Sequence, residues 1–257
     1  MALKMDNINF SYPGQPVLHQ VSCGFNTGQI HVILGPNGSG KTTLIDLMAG
    51  LSSPGQGQVR LNHTPLSTLS RTHLARKIAL VSQNYNIRFP FSVKDVVLMG
   101  RHPYIDRFSS PSARDRAMAE DAMASTGIFH IKHKKVTELS GGEKQRCVFA
   151  RALCQDTPYI LLDEAFSSMD IHHTMHLLRI LKQSATHQDK TVIAVLHDIN
   201  LAATWADTLL LIKSGRVIDQ GPPESVFTEE NIKQVFNVTP RVAFNEFSNS
   251  FQAFFKA

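Results

Sequence analysis

The sequence predicts an α/β fold built around a parallel β-sheet, and three features carry that prediction. A glycine-rich string at residues 35–42 follows an apolar run of strand length. A helical pattern comes directly after it, so the order is strand, tight loop and helix. Other apolar runs of strand length recur near residues 78–81, 158–163 and 192–196. Such continuous apolar runs are typical of parallel strands covered by helices on both faces.

Two further regions are expected to surround this sheet. Residues 1 to about 30 contain short alternating segments, which favour an antiparallel β lobe. The pattern between about residues 84 and 146 is helical. We therefore expect one domain over residues 1–257, with a core at about 1–83 and 147–225, an inserted helical subdomain at about 84–146 and a C-terminal extension at about 226–257.

Local signals indicate where helices of the inserted subdomain begin and end. Ser92 and Asp95 form a capping-box pattern for a helix over residues 93–99, and Gly100 is expected to end it. Ser110 and Pro111 are expected to open a second helix that closes at Gly127.

The tail, residues 238–257, fits two structures. Apolar residues alternate on both sides of Ser248-Asn249-Ser250, which favours a small β-hairpin. The phenylalanine spacing 244, 247, 251 and 254 also fits an amphipathic helix.

Composition narrows the function classes. No apolar run reaches 18 residues, and the N-terminus lacks the apolar segment of a signal peptide, so we expect a protein that stays in the cytoplasm. The net charge of +5 suits a polyphosphate ligand and would also suit an anionic membrane or nucleic acid. The basic cluster at residues 132–135 has no interleaved aromatic residues. A solvated turn is therefore favoured there, and nucleic acid is not an expected partner.

The cysteines and clustered histidines do not predict a metal centre. Cys23, Cys147 and Cys154 have no metal-ligand spacing, so reduced structural thiols are expected. His172 and His176 form a helical i, i+4 pair near His173, but no carboxylate or cysteine completes a zinc site.

The glycine-rich string has the form G-x-x-x-x-G-K-[ST] of a phosphate-binding loop. Its glycines allow the backbone N–H groups and the following helix N-terminus to point at phosphate oxygens. Lys41 is placed to reach the β- and γ-phosphates, and the Thr42 hydroxyl to bind Mg²⁺. We therefore expect ATP with Mg²⁺ as ligands. The nucleotide-binding residues predicted from this string are Gly35, Pro36, Asn37, Gly38, Ser39, Gly40, Lys41, Thr42 and Thr43.

Two adjacent carboxylates end the apolar run at residues 159–162. Neighbouring strand residues point to opposite faces, so Asp163 and Glu164 cannot share one role. Asp163 is suited to hold Mg²⁺ through water, whereas Glu164 can face the γ-phosphate and act as the general base for the attacking water.

A second anion-binding helix end is predicted downstream, in Leu139-Ser140-Gly141-Gly142-Glu143-Lys144-Gln145. Ser140, Gly141 and Gly142 come at the start of a helix, whose N-terminus favours negative charge. Ser140 and Glu143 also satisfy the capping-box pattern, and both interpretations hold at once.

With the phosphate-binding loop, this string and the Asp163-Glu164 run in that order, the chain resembles the nucleotide-binding subunit of an ABC transporter along nearly its whole length. The resemblance implies a P-loop NTPase core with an antiparallel lobe and an inserted helical subdomain. Gln83 matches the glutamine that reaches Mg²⁺ and the attacking water, and His197 matches the switch histidine that bonds the γ-phosphate. Tyr12 matches the aromatic residue that stacks on adenine, although it could instead be a strand aromatic that only packs.

One loop departs from the family pattern. Where Pro-Thr-Ser-Ala-Leu-Asp is usual, this chain has residues 165–170, Ala-Phe-Ser-Ser-Met-Asp. Asp170 is kept, and the resemblance gives it the role of communication across a dimer. The substituted Phe166 leaves the packing of the loop open.

The resemblance also implies partners and a location. Two subunits are expected to lie head to tail, each ATP held between the phosphate-binding loop of one and Ser140–Glu143 of the other. Such a homodimer works with two membrane-spanning permease subunits, and indirectly with a substrate-binding protein, on the cytoplasmic face of the inner membrane. Residues 88–91, Arg-Phe-Pro-Phe, are either part of the permease contact or folded into the core of the helical subdomain.

The string at residues 91–104 resembles importers of ferric siderophores, haem and cobalamin. Zinc, manganese and molybdate importers have similar strings, and a soluble ABC ATPase of the iron-sulfur-assembly type is the alternative outside transport.

Overall fold

The computed structural model describes residues 2–82 and 89–256. Its strands are β1 (Ala2–Tyr12), β2 (Gln15–Asn26), β3 (Ile30–Leu34), β4 (Gln56–Leu61), β5 (Thr64–Pro65), β6 (Ile78–Val81), β7 (Tyr159–Asp163), β8 (Thr191–Val195), β9 (Thr208–Lys213), β10 (Arg216–Gly221), β11 (Pro240–Asn245) and β12 (Ser250–Phe255). The α-helices are α1 (Lys41–Met48), α2 (Arg71–Ala75), α3 (Val93–Leu98), α4 (Ala113–Ser125), α5 (Gly141–Gln155), α6 (Ile171–Gln188), α7 (Ile199–Trp205), α8 (Pro223–Val226) and α9 (Glu229–Phe236).

The central sheet has the order β10-β9-β3-β8-β7-β6. Its strands β9, β3, β8, β7 and β6 are parallel, and β10 joins the edge antiparallel. Every residue of β3, β7 and β8 is buried, as their apolar sequences predict. The register pairs Ile33 with Val195 and Asp163 with Val195, so these strands end at the same edge. The loops after them therefore meet there, where open α/β sheets bind ligands.

The predicted antiparallel lobe is a second sheet, of order β2-β1-β4-β5. Its inner face, with Leu3, Met5 and Phe25, shares one apolar core with Leu44 of α1 and Ile193 of β8. The lobe is therefore fixed to the central sheet, and together they confirm the predicted α/β fold class.

Helices α3, α4 and α5 pack around a separate apolar cluster that includes Val97, Met123 and Cys147. The capping box of α3 is confirmed, because the Asp95 N–H donates to Ser92 Oγ at 3.1 Å. The α-helix ends at Leu98, within one residue of the predicted end, but Gly100 does not stop the chain from continuing as a 3₁₀ helix over Met99–Tyr104. A Cβ at position 100 would lie 2.4 Å from the Arg151 carbonyl oxygen of α5. Close helix packing therefore requires this glycine.

The start of α4 differs from the prediction by two residues. Ser112, and not Ser110, caps the helix, because the Asp115 N–H donates to Ser112 Oγ at 3.1 Å. Asp115 also accepts from buried Arg101 at 2.9 Å, and this long-range contact selects the register of the helix start. Gly127 follows the helix in the left-handed region, with φ of 70°, as its predicted terminator.

The tail is a β-hairpin, so the helical alternative is wrong. Strands β11 and β12 are antiparallel, with Val242 opposite Ala253 and Phe244 opposite Phe251. Ala253 is buried against the core, whereas Phe247 at the turn is fully exposed. By itself, the apolar pattern of the tail fits either a hairpin or a helix. The packing of β12 on α7 stabilises the hairpin.

The three cysteines are free and buried, as expected. Burial raises the pKa of Cys23, Cys147 and Cys154 to about 12, so all three are thiols at neutral pH. Among the described residues, no group of three or more His, Cys, Asp or Glu side chains could hold a metal ion. His176 Nε2 instead lies 2.7 Å from the Ser125 carbonyl oxygen.

Two other surface features bear on possible partners. His133, Lys134 and Lys135 are exposed, which confirms the predicted solvated turn. Within residues 2–82 and 89–256, each helix is too short or too polar to cross a bilayer.

Candidate nucleotide-binding site

The phosphate-binding loop connects β3 to α1 at the carboxyl edge of the central sheet. Gly35 allows the loop to lie against β9, because a Cβ there would be 2.2 Å from the Ile212 carbonyl oxygen. Gly40 caps α1 with φ of 100°, a conformation that L side chains avoid. The first N–H groups of α1 therefore open onto the concave side of the loop.

Lys41 lies across this loop and is 5% exposed. Its Nζ donates to the carbonyl oxygens of Gly35 at 2.8 Å and Pro36 at 2.9 Å. Burial lowers the pKa of Lys41, while the carboxylates of Glu164 and Asp163 act in the opposite direction. The ammonium group is thus held in the loop by groups that a phosphate could replace.

Thr42 and Asp163 place two oxygen ligands for a metal ion side by side. The Thr42 hydroxyl donates to Asp163 Oδ1 at 3.3 Å, and Asp163 is 3% exposed. Burial raises the pKa of Asp163, and the hydrogen bond from Thr42 opposes that shift. A hydroxyl beside a carboxylate is a donor set that suits Mg²⁺, which keeps several waters and takes one or two carboxylates.

Glu164 and His197 meet between the ends of β7 and β8. His197 Nε2 lies 2.8 Å from Glu164 Oε1. The Glu164 backbone is left-handed, with φ of 51°, which turns the chain sharply after the strand. The carboxylate is therefore aimed at the phosphate-binding loop and away from the strand direction of Asp163.

One pocket of about 460 Å³ brings together Lys41, Thr42, Glu164 and His197, and Asp163 lies outside its lining. Its lining residues are Tyr12, Gln15, Val17, Asn37, Gly38, Gly40, Lys41, Thr42, Thr43, Glu164 and His197. Tyr12 packs edge-to-face on Phe10, with ring centroids 5.0 Å apart, and its hydroxyl lies 3.5 Å from Thr43 Oγ1. The Ser39 hydroxyl is buried in the loop and makes no hydrogen bond to any described residue. Ser39 is 3% exposed and is not among the residues that line the pocket, so its contact with the nucleotide stays a prediction.

Ser140 and its neighbours lie elsewhere. Ser140 caps α5 with a capping box: its N–H donates to Glu143 Oε2 at 2.8 Å, and the Glu143 N–H donates back to Ser140 Oγ at 3.3 Å. Hydrogen bonds from Ser140 lower the pKa of Glu143. Within the described structure, Ser140, Gly141, Gly142 and Glu143 are not part of the lining of the 460 Å³ pocket. One copy of the chain thus leaves this helix end separate from the phosphate-binding loop.

Gln145 makes a contact for which the sequence offered no signal beyond its place in the string. Its side-chain amide bonds two backbone groups of the loop after β7. Oε1 accepts from the Ser168 N–H at 3.1 Å, and Nε2 donates to the Glu164 carbonyl oxygen at 3.5 Å. The helix that begins at Ser140 is therefore bonded to the loop that carries Glu164.

The unusual loop itself packs inward. Ala165 is fully buried, and Phe166 packs on Phe149 with ring centroids 6.2 Å apart. Asp170 caps α6 by accepting from the His173 N–H at 2.9 Å and stays exposed. Phe166, at the position of the usual threonine, therefore packs toward the core. Asp170 remains at the exposed end of the loop.

Gln83 and Arg88 lie outside the described residues. Phe89 and Phe91 are described, with ring centroids 6.0 Å apart and Phe89 68% exposed. Both rings are exposed, so the alternative that they fold into the core of the helical subdomain is wrong.

The family model for ABC transporters matches residues 18–167, more than half of the chain. The chain belongs to the ABC transporter family. It is 38% identical over 237 residues to the cobalamin import ATP-binding protein BtuD of Halobacterium salinarum, covering 92% of this chain. The chain spans only 59% of the length of that relative. It is 37% identical over 246 residues to the hemin import ATP-binding protein HmuV of Bordetella pertussis, and 93% of each chain is covered.

Solved structures confirm that this ABC protein has the expected ATPase fold. A protein assigned as a metal-chelate type ABC transporter, in an inward-facing conformation, superposes with a TM-score of 0.83 at 30% identity, covering 99% of this chain and 96% of that one. The dimeric bacterial ABC transporter cassette MJ0796 superposes with a TM-score of 0.77 at 27% identity, covering 86% and 98%.

Proposed function

We propose that this ABC protein binds and hydrolyses ATP to power a membrane importer. The observation that carries the proposal is the single pocket lined by Lys41, Thr42, Tyr12 and the Glu164–His197 pair. It combines a phosphate-binding loop, an aromatic ring at the adenine end and a carboxylate opposite the phosphates. A related cassette, MJ0796, has been solved as a dimer bound to ADP and Pi.

In this mechanism the chain first exchanges its own contacts for those of the nucleotide. Lys41 releases the carbonyl oxygens of Gly35 and Pro36 and bonds the β- and γ-phosphates. The N–H groups from Gly38 to Thr43 and the N-terminus of α1 point at the phosphate oxygens. Tyr12 stacks on adenine.

The donor set of this site fits Mg²⁺, which would be held by Thr42 and, through water, by Asp163, with Gln83 as a further ligand. The ion would supply neutralisation of charge on the phosphate oxygens. Glu164 then accepts a proton from the attacking water, and His197 bonds the γ-phosphate.

A second copy completes the site. We place Ser140–Glu143 of the partner subunit over the γ-phosphate, because this helix end favours negative charge and lies apart from the pocket of its own chain. Asp170, on the exposed end of its loop, communicates between the two copies. ATP closes this homodimer and hydrolysis reopens it, since ADP lacks the γ-phosphate contacts.

Mixing two inactive variants tests the shared site. Lys41→Ala removes the phosphate-binding lysine, and Gly141→Asp places a carboxylate at the helix end that would face the phosphate. Residue 141 has room for a Cβ, whose nearest contact would be Ser168 Cβ at 3.9 Å, and an acidic residue suits a first helical turn. Each variant alone is expected to lose ATPase activity about a hundredfold or more. Their mixture should recover activity, because a heterodimer pairs one intact loop with one intact helix end.

The matched control is a mixture of Lys41→Ala with a Lys41→Ala, Gly141→Asp double variant, in which neither site of the heterodimer is intact. This mixture should stay inactive. Recovery there, or no recovery in the first mixture when ATP still dimerises both chains, would contradict the head-to-tail arrangement.

Asp163→Asn is expected to stabilise the nucleotide-free protein. Because burial raises the pKa of Asp163 in the folded protein, its ionised carboxylate destabilises the fold at pH values above that pKa. The wild-type protein therefore becomes more stable as the pH falls through the folded-state pKa. The variant should therefore gain about 1 kcal/mol at neutral pH, or about 2–4 °C in thermal unfolding. Asparagine still accepts the hydrogen bond from Thr42.

Thermal unfolding from neutral pH down to about pH 3.5, through the ordinary carboxyl range, measures this effect. The difference should shrink as pH falls, because the wild-type carboxyl becomes protonated. Mg²⁺ should no longer add to stabilisation of the variant by ATP. A variant less stable than wild type at neutral pH would refute the account.

The relatives also support a proposal for the partners and the cargo. We propose two permease subunits as partners, contacted in part by the exposed Phe89 and Phe91, and a substrate-binding protein as an indirect partner. With these partners, the proposed location is the cytoplasmic face of the inner membrane. The relatives named for cobalamin and hemin import favour ferric siderophore, haem or cobalamin as cargo over zinc, manganese or molybdate. Co-purification with permease subunits, against soluble scaffold proteins, separates transport from iron-sulfur assembly.

A further inference from the structure

Helix α7 begins directly after the loop that holds His197. Asp198 caps this helix by accepting from the N–H groups of Asn200 and Leu201, both at 2.9 Å. The His197 side chain is 49% exposed, so burial does not hold it. Its backbone is held on one side by β8 and on the other by α7. The placement of α7 therefore sets where the imidazole can reach.

The C-terminal hairpin binds α7 through one asparagine. Asn200 Nδ2 donates to the Ala253 carbonyl oxygen at 3.1 Å, and Asn200 Oδ1 accepts from the Ala253 N–H at 2.7 Å. The amide thus occupies the edge of β12 as another strand would, satisfying both backbone groups of one residue. Both contacts have good hydrogen-bond lengths and join residues 53 positions apart.

A second group of contacts lies one turn further along α7. Thr204 Oγ1 is 3.0 Å from Ser250 Oγ, and Gln252 Nε2 donates to Thr204 Oγ1 at 3.1 Å. The edge of β12 therefore follows α7 from its first turn to its last.

A helix as short as α7, with seven residues, is marginal by itself and needs tertiary contacts to stay in place. From this geometry we propose that the C-terminal hairpin positions His197 for hydrolysis, with Asn200 as the positioning residue that transmits its placement. The inference rests on the proposed function, because it assumes that His197 bonds the γ-phosphate. It assigns a role in turnover to residues 240–255, which lie beyond the part of the chain that the family model matches.

The test compares Asn200→Ala with Glu229→Ala. Glu229 on α9 also bonds the hairpin, accepting from the Val242 N–H at 3.0 Å, but it does not contact α7 through that bond. Asn200→Ala should lower kcat about tenfold, less than the roughly hundredfold cost of a 1 Å misplacement, with KM for ATP unchanged. Glu229→Ala should keep kcat within about twofold, and thermal unfolding should show both variants folded.

A double-mutant cycle with His197→Ala separates positioning from a structural effect. In single-turnover hydrolysis, Asn200→Ala should cause no further loss once His197 is absent. Unchanged kcat in Asn200→Ala, an equal loss in both backgrounds, or an equal loss in Glu229→Ala would each overturn the inference. His197→Ala with wild-type kcat would instead contradict the proposed function, and this inference with it.

Discussion

Replacing Glu164 with glutamine is expected to lower kcat for ATP about 10²–10⁴-fold, the contribution typical of a general base. Glutamine has the same shape, and its Oε1 can still accept from His197 Nε2, which lies 2.8 Å from Glu164 Oε1 in the wild type. ATP binding should therefore survive, whereas the group that takes the proton from water is lost. In the proposed mechanism hydrolysis reopens the dimer, so the variant should accumulate as an ATP-bound dimer.

Steady-state ATPase assays measure the loss of turnover, and light scattering with and without ATP measures the dimer. Glu230→Gln makes the same chemical change at an exposed position on α9 and should leave both unchanged. A Glu164→Gln variant that keeps kcat within a few-fold of wild type would remove Glu164 from the role of base.

Replacing Lys41 with alanine is expected to weaken ATP binding about a hundredfold or more. The ammonium is lost from bonds to two phosphates, and a hydrogen bond to a charged group is worth about 1.5–3 kcal/mol. ATP should lose more affinity than ADP, because only ATP has the γ-phosphate that Lys41 reaches. This difference distinguishes a lost phosphate contact from general damage to the loop.

Calorimetric titration of the variant with ATP and with ADP measures both affinities and checks the prediction. Lys233→Ala removes an exposed lysine of α9 and should leave both affinities unchanged. The alanine variant also frees the carbonyl oxygens of Gly35 and Pro36, so thermal unfolding must show that it is folded. Retained ATP affinity in a folded Lys41→Ala protein would contradict the phosphate-binding assignment.

Contacts between residues close in sequence were predictable. The capping boxes at Ser92 and Ser140 join groups three residues apart, so the residue types suffice to predict them. Near Gly100 the same reasoning predicted the end of α3 to within one residue, but not the 3₁₀ continuation or the close approach of the Arg151 carbonyl oxygen of another helix. At the start of α4, the prediction from Ser110 and Pro111 was wrong, because Ser112 forms the capping box with Asp115, which also bonds Arg101.

The candidate site divides in the same way. The motif at residues 35–42 predicted a loop that leads into a helix, because glycine, lysine and threonine at that spacing bind phosphate through neighbouring groups. The approach of Glu164 to His197, 33 positions later, depends on the parallel register of β7 and β8. The bridge from Gln145 to Ser168 depends on how α5 packs beside the loop.

The sequence by itself determined the α/β class, the phosphate-binding loop and the capped helix starts at Ser92 and Ser140, because periodicity and short motifs act over a few residues. Only the tertiary structure decided that the tail is a hairpin, that Asn200 bonds its edge, and that Tyr12 shares a pocket with Glu164. These outcomes depend on strand register and on packing between distant segments. Such contacts arise when the chain buries its apolar faces, and local patterns do not specify which segments meet.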